Sequence, residues 1–105
     1  MHKNEIQAQY WTDVEIRLEL MRYLDHASLH FQEKLKQILL DMRLQHESLD
    51  SLLKIVFSLL ENTDSRSIQI FICNVERVAF DTNLSPKSSE PLISFLNRLQ
   101  RKKAV

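Results

Sequence analysis

The chain contains no glycine, one cysteine and two prolines, and these shortages exclude whole classes of structure or chemistry. Phosphate-cradling loops of the P-loop or dinucleotide type need glycines, because a side chain would block the approach of the backbone to the phosphates. Nucleotide enzymes of those classes are therefore excluded. The single cysteine, Cys73, cannot form a disulfide within the chain and is typical of a protein from a reducing compartment.

An excess of charge and long apolar runs are also lacking. Lysine and arginine total 14, as do aspartate and glutamate, so no overall field attracts nucleic acid or an anionic membrane. No segment approaches the roughly 20 apolar residues of a membrane span, and the first residues lack the apolar core of a secretory signal. We therefore expect a cytoplasmic location and no association with a membrane.

What is present indicates one helical domain. The length of 105 residues, with 44% hydrophobic and 27% charged residues, is typical of a single folded unit. Clusters of Asn, Asp and Ser divide the chain into about five helices. Their predicted bounds are 4–24, 28–46, 49–62, 66–81 and 89–102. We expect an all-α fold, a compact bundle of four to five helices over 1–105, with a short basic tail at about 102–105.

Two predicted helices carry recognisable start signals. The run Thr12-Asp13-Val14-Glu15 matches a capping box, which either starts the first helix near 13 or lies within a helix that began near Asn4. The last helix is predicted to be capped by Ser88 or Ser89, with Pro91 in its first turn, where the missing amide is tolerated.

The segment 66–81 could be a strand or a helix. Ile68, Ile70 and Ile72 alternate with other residues as they would in a strand. The helical spacing of three and four residues accounts for more of the segment, and no second strand candidate exists to pair with it. The residues that follow this spacing are Ile68, Phe71, Ile72, Val75, Val78 and Ala79. A helix is therefore favoured.

The first two predicted helices have apolar side chains on two sides. In the first, Ile6, Tyr10, Val14, Leu18, Met21 and Leu24 form the face expected to contact the core. Ile16, Leu20 and Tyr23 lie nearly opposite. In the second, a core face that includes Phe31, Leu35, Leu39 and Met42 leaves Leu29, Leu40 and Leu44 on another side. The third helix is apolar over more than half of its circumference and is expected to be central.

These second stripes have two interpretations. Neighbouring helices in the bundle could bury them, or they could be a docking surface for another protein or for an identical chain. The candidate partner-binding residues are Trp11, Ile16, Leu20, Tyr23, Leu29, Leu40 and Leu44. The favoured function is a non-enzymatic interaction module, such as an adaptor, chaperone, anti-regulator or inhibitor, with a homodimer expected.

The alternative is a small dimeric DNA-binding transcriptional regulator. The basic residues near the C-terminal end that could contact phosphates are Lys87, Arg98, Arg101, Lys102 and Lys103. Cations at the end of a helix also complement its dipole, so the same residues are expected in a helix with no nucleic-acid partner.

Catalytic and metal-binding patterns are weak. His26 and His30 have the spacing of two ligands on one helix, but His26 falls at a predicted break. His30 with Lys34 has the spacing of a phosphotransfer histidine, although Leu35 follows where a small residue would let a partner approach. Cys73 lies in mid-helix without features that lower its pKa. We expect no enzyme activity, no cofactor and no metal.

Overall fold

A computed structural model describes residues 10–104, with side chains described from Tyr10 to Arg101. It contains five α-helices: α1 (Asp13–Glu19), α2 (Leu29–Leu39), α3 (Leu49–Leu60), α4 (Ser65–Ala79) and α5 (Pro86–Ala104). Short 3-10 turns at Leu24–His26 and Met42–Leu44 follow α1 and α2. No strand occurs among the described residues, and the predicted all-α bundle is confirmed.

Side-chain caps determine where the first four helices begin. Thr12, Ser28, Ser48 and Asp64 each accept a hydrogen bond from a backbone amide in the first turn of the helix that follows. At α1 the capping box is complete, because the Thr12 hydroxyl accepts from the Glu15 amide and the Glu15 carboxylate accepts from the Thr12 amide. The helix therefore begins at Asp13, which settles the open question of its start.

The last helix starts three residues earlier than predicted. Ser85 is the residue that caps it, since its hydroxyl accepts from the Ser88 amide at 3.3 Å and its carbonyl accepts from the Ser89 amide at 2.9 Å. Pro86 then occupies the first helical position, where proline is favoured, and Pro91 lies inside the helix. At its other end α5 continues to Ala104, beyond the predicted end at 102.

The first two helices end earlier than predicted. After α1 the chain turns at Tyr23, whose φ of 60° lies in the left-handed region that glycine usually occupies. After α2 the carboxylate of Asp41 accepts from the Arg43 amide at 2.8 Å and caps a separate 3-10 turn. In a chain without glycine, a tyrosine thus takes the left-handed position after α1, and an aspartate begins a new turn after α2.

One apolar core joins all five helices, and α4 is its most deeply buried member. Phe71 of α4 contacts Phe31 and Phe95 edge to face, with ring centres 6.0 and 6.1 Å apart. The helical periodicity predicted for α4 is confirmed, because Phe71, Ile72, Val75, Val78 and Ala79 are all buried. The prediction that the third helix is the most buried one is wrong, since α4 buries seven of its 15 residues and α3 buries four of its 12.

The orientation predicted for the first helix is also wrong. Val14 and Leu18, assigned to the core face, are 59% and 49% exposed. Ile16 and Leu20, which could have been buried by the bundle or part of a docking surface, are 2% and 0% exposed, so burial by the bundle is confirmed for these two residues. Polar contacts with distant residues explain the reversal. The buried amide of Asn74 on α4 donates to the carbonyls of Leu20, at 3.1 Å, and of Arg22. These bonds hold the Ile16 and Leu20 side of α1 against α4.

Candidate partner-binding surface

A buried arginine joins α1 to the end of α2. Arg17 is only 4% exposed, and its Nε donates to the Asp13 carboxylate at 2.8 Å. Its two terminal nitrogens donate to the carbonyls of Leu39 at 3.3 Å, Leu44 at 3.3 Å and Glu47 at 3.5 Å. Carbonyls at the C-terminal end of a helix carry partial negative charge, so the guanidinium caps α2 from a neighbouring helix. The loop after α2 is thereby held beside the first turn of α1.

A cleft of about 460 Å³ lies along this junction. Its α1 wall consists of Asp13, Val14 and Arg17; the opposite wall is formed by Leu39, Leu40, Asp41, Met42, Gln45 and His46. Met42 at its rim is 72% exposed and Leu40 is 44% exposed. With Val14, they place three exposed apolar side chains around one concave surface.

A second groove of about 650 Å³ continues from the cleft on the other side of Leu40. It is lined by Lys36, Gln37, Ile38, Leu40, Asp41, Arg43 and Leu44, and it shares Leu40 and Asp41 with the cleft. The apolar residues along the two depressions that are not fully buried are called the apolar strip below: Val14, Ile38, Leu40, Met42 and Leu44. The strip is therefore continuous from α1 across the loop to the side of α2.

Most charged side chains along the strip are paired within the chain. Asp13 accepts from Arg17, which lines the same cleft. At the α2 end, the Arg43 guanidinium donates to both carboxylate oxygens of Asp41, at 3.1 and 2.9 Å. The Arg43 side chain, and then its backbone amide, lower the pKa of Asp41 below its ordinary value. Asp41 is therefore ionised at neutral pH and is already paired within the chain.

The structure brings together only two of the seven predicted partner-binding residues. Leu40 and Leu44 lie in the apolar strip. Tyr23 and Leu29 are exposed, but Leu29 is the first residue of α2, at the opposite end from Leu40, and Tyr23 precedes the turn before it. Trp11 is half-buried and its amide donates to the Asn83 carbonyl at 2.8 Å. The other two, Ile16 and Leu20, belong to the core.

Sequence reasoning missed Val14 and Met42 as surface residues. For Met42 a signal was available, because Asp41 is a capping residue type and could have ended the predicted helix 28–46 before it. For Val14 no local signal exists, since its exposure follows from the burial of Ile16 on the other side of α1.

Among the predicted nucleic-acid residues with described side chains, Lys87 lies far from Arg98 and Arg101. Lys87, Arg98 and Arg101 are exposed on α5, but Lys87 and Arg98 are separated by about 16 Å of helix. The Arg98 guanidinium stacks on the Phe57 ring, 4.3 Å from its centre, and is thus held against α3. The side chains of Lys102 and Lys103 lie outside the described residues.

The histidines do not form a shared site in the described part of the chain. His26 belongs to a 3-10 turn and lies 3.7 Å from the Asp25 carboxylate, whereas His30 belongs to α2, so one helix does not present both. Residues 10–104 contain no group of three His, Cys, Asp or Glu side chains placed to hold a metal ion. Among the same residues, no helix combines the length and apolar character needed to cross a membrane.

Comparisons with protein-family models, with curated proteins and with solved structures found no match to this chain. Function therefore has to be inferred from the chemistry of the described surface. The apolar strip is the part of that surface in which exposed apolar side chains surround a concavity.

Proposed function

We propose that this chain is a non-enzymatic protein-binding module whose partner docks on the apolar strip. The observation that supports this most is the cleft between α1 and the loop after α2, with Val14, Leu40 and Met42 exposed around it. Single exposed apolar residues are common on soluble proteins, whereas a contiguous set around a concavity is typical of a binding surface. Methionine adds an unbranched, polarisable side chain that adapts to the shape of a partner.

The strip is also held in place before any partner arrives. Arg17 binds carbonyls on both sides of the α2 end, and Asp41 caps the turn that carries Met42. A surface that is ordered beforehand loses less conformational entropy on binding, so more of the apolar contact contributes to affinity. This favours the strip over exposed apolar residues such as Leu29, which begins a helix and lines neither depression.

A site-specific photo-crosslinker in cells that produce the protein tests this function. Placed at Met42, it should form covalent adducts with a polypeptide, and the adducts should be lost when Val14→Glu is added. Glutamate in the first turn of α1 is compatible with the helix dipole, and Val14 is exposed, so this variant should fold.

Phe80 provides the matched control position. It is 68% exposed, close to the value for Met42, but it lies at the end of α4 and lines neither depression. A crosslinker at Phe80 should give none of the adducts seen at Met42. The same adducts from both positions, or Met42 adducts that persist with Val14→Glu, would contradict the proposed function.

The alternative of a DNA-binding regulator has less support. Of its three residues with described side chains, Arg98 is stacked on Phe57, Arg101 lies one turn from it, and Lys87 is distant from both along α5. Phosphate binding needs several cations that face one backbone at once. That alternative stays a prediction.

A further inference from the structure

We infer that α1 is a strap, which opens from the other four helices by a hinge at Tyr23 while those helices stay folded. The inference rests on the proposed function where it concerns binding, because Asp13, Val14 and Arg17 of α1 form one wall of the cleft. With α1 closed the cleft has two walls, and with α1 open only the side built by α2 and its loop remains. The binding surface is therefore complete only while the strap is closed.

Few apolar side chains attach α1 to the fold. Of its seven residues only Ile16 and Arg17 are buried, and one of these is charged; the buried Leu20 follows as the C-cap. The other four helices share a core of their own, because edge-to-face contacts between phenylalanine rings join α2, α3, α4 and α5. A helix as short as α1 is not stable in water without tertiary contacts. We therefore expect α1 to unfold when it leaves α4, and the other four helices to remain.

Polar contacts hold the α4 side of the strap. The Arg77 guanidinium donates to the Glu19 carboxylate at 2.8 Å and to the Glu19 carbonyl at 2.7 Å. The Asn74 amide donates to the carbonyls of Leu20 and Arg22. Water can replace each of these partners when α1 leaves, so such bonds oppose opening less than buried apolar contacts do. Polar interfaces of this kind are typical of parts that move relative to one another.

Two unfavourable features of the closed fold coincide at this junction. Among the described residues, Tyr23 is the one with a positive φ, and it directly follows the segment that contacts α4. Among the described side chains, Arg77 Nε is the one buried polar atom without a hydrogen bond. Opening lets Tyr23 return to negative φ and lets water reach Arg77 Nε. Both features therefore favour the open strap over the closed one.

Native-state hydrogen exchange of the purified chain tests the strap. The amides of Ile16 and Leu20 each donate within the first helix at 3.0 Å. Their protection factors should be at least about 100-fold lower than those of the slowest amides of α4. Their exchange should also depend little on urea, because opening α1 exposes far less surface than global unfolding does. Equal protection and equal urea dependence in α1 and α4 overturn the strap.

Three variants locate the opening. Val56→Ala, in the shared core of α3, should lower protection in α4 about tenfold or more and leave Ile16 unchanged, because α1 opens without unfolding α3. Glu19→Gln should lower protection at Ile16 about three- to fivefold, since it weakens the bond to Arg77. Tyr23→Asn should raise protection at Ile16 by up to about fivefold, because asparagine adopts the left-handed region more readily.

Asp50→Asn is the matched control for Glu19→Gln. It also removes a carboxylate from an ion pair, but its partner Lys54, at 3.3 Å, belongs to the same helix, α3. Protection at Ile16 should not change in this variant. If Val56→Ala lowers protection at Ile16 and in α4 by the same factor, α1 opens only with the whole fold, and the strap is overturned. An unchanged Ile16 amide in Glu19→Gln overturns the polar attachment to Arg77.

The outcomes for the strap and for the proposed function are distinguishable. If α1 opens locally and a crosslinker at Met42 gives no specific adducts, the strap stands and the proposed function fails. If specific Met42 adducts form and α1 opens only with global unfolding, the proposed function stands and the strap fails.

Discussion

The buried Arg17 makes the sharpest prediction about stability. Arg17→Met keeps the aliphatic volume of the side chain and removes its five hydrogen-bond donors. The Leu39 carbonyl would lose its buried charged donor, and the weaker bonds to Leu44 and Glu47 would be lost with it. The substitution thus tests whether the guanidinium, and not the packing of its stem, joins α1 to the end of α2.

The expected loss is about 2–4 kcal/mol of unfolding free energy. Leaving a buried carbonyl without a donor costs about 1–3 kcal/mol, and hydrogen bonds to a charged group contribute somewhat more than neutral ones. The Asp13 carboxylate is half-exposed and can be solvated again, so its lost ion pair adds less than about 1 kcal/mol. A domain of this size is stable by about 5–15 kcal/mol, so the variant should fold with a clearly lower midpoint.

Urea unfolding followed by circular dichroism measures the difference. The matched control is Arg43→Met. Like Arg17, Arg43 binds an aspartate, in this case through two hydrogen bonds, but its side chain is 89% exposed. We expect the control to lose less than about 1 kcal/mol. Arg17→Lys should recover little, since lysine lacks the planar fork that reaches several carbonyls. Equal losses for Arg17→Met and Arg43→Met would refute the capping role of Arg17.

Two further predictions concern the helix ends. Because Tyr23 has φ 60°, Tyr23→Asn should raise the unfolding free energy by up to about 1 kcal/mol, as asparagine adopts the left-handed region at lower cost. Thermal melts that show Tyr23→Asn no more stable than the wild type would contradict this. Hydrogen bonds from the Ser67 amide, and then from the Ser67 hydroxyl, lower the pKa of Asp64. The Asp64 carboxylate therefore stabilises the fold above its unfolded pKa, and this contribution is lost as the pH falls through its folded pKa. Asp64→Asn should therefore make the unfolding free energy depend less on pH below about pH 4. Urea unfolding at several acidic pH values measures this dependence, and the same dependence in the variant and the wild type would count against this cap.

Local signals in the sequence predicted the helices and one of their faces well. A capping box depends on residues three apart, so Thr12 and Glu15 could be paired without knowledge of the fold. The buried side of α4 follows from its own periodicity, because the opposite side of that helix is polar. Helical spacing between clusters of Asn, Asp and Ser correctly predicted an all-α protein.

Local signals failed where several residues could cap the same helix. Ser85, Ser88 and Ser89 are all capable caps, and sequence reasoning chose the later two. Proline is tolerated in the first turn of a helix, and this rule was applied to Pro91. In the structure Pro86 takes that position, so Pro91 lies further inside the helix than predicted. Competing caps have similar energies, so the packing of α5 against α3 and α4 can decide between them.

The orientation of α1, and with it the location of the apolar strip, was decided only in the tertiary structure. Its two stripes, Val14 with Leu18 and Ile16 with Leu20, are similarly apolar, so hydrophobicity alone favours neither. The contacts that choose between them join Arg17 to a carbonyl 22 residues away and Leu20 to an asparagine 54 residues away. Composition and periodicity therefore determined the helices and the amount of apolar surface. Packing of α1 against α4, together with long-range hydrogen bonds that no local pattern encodes, determined which part of that surface remained exposed.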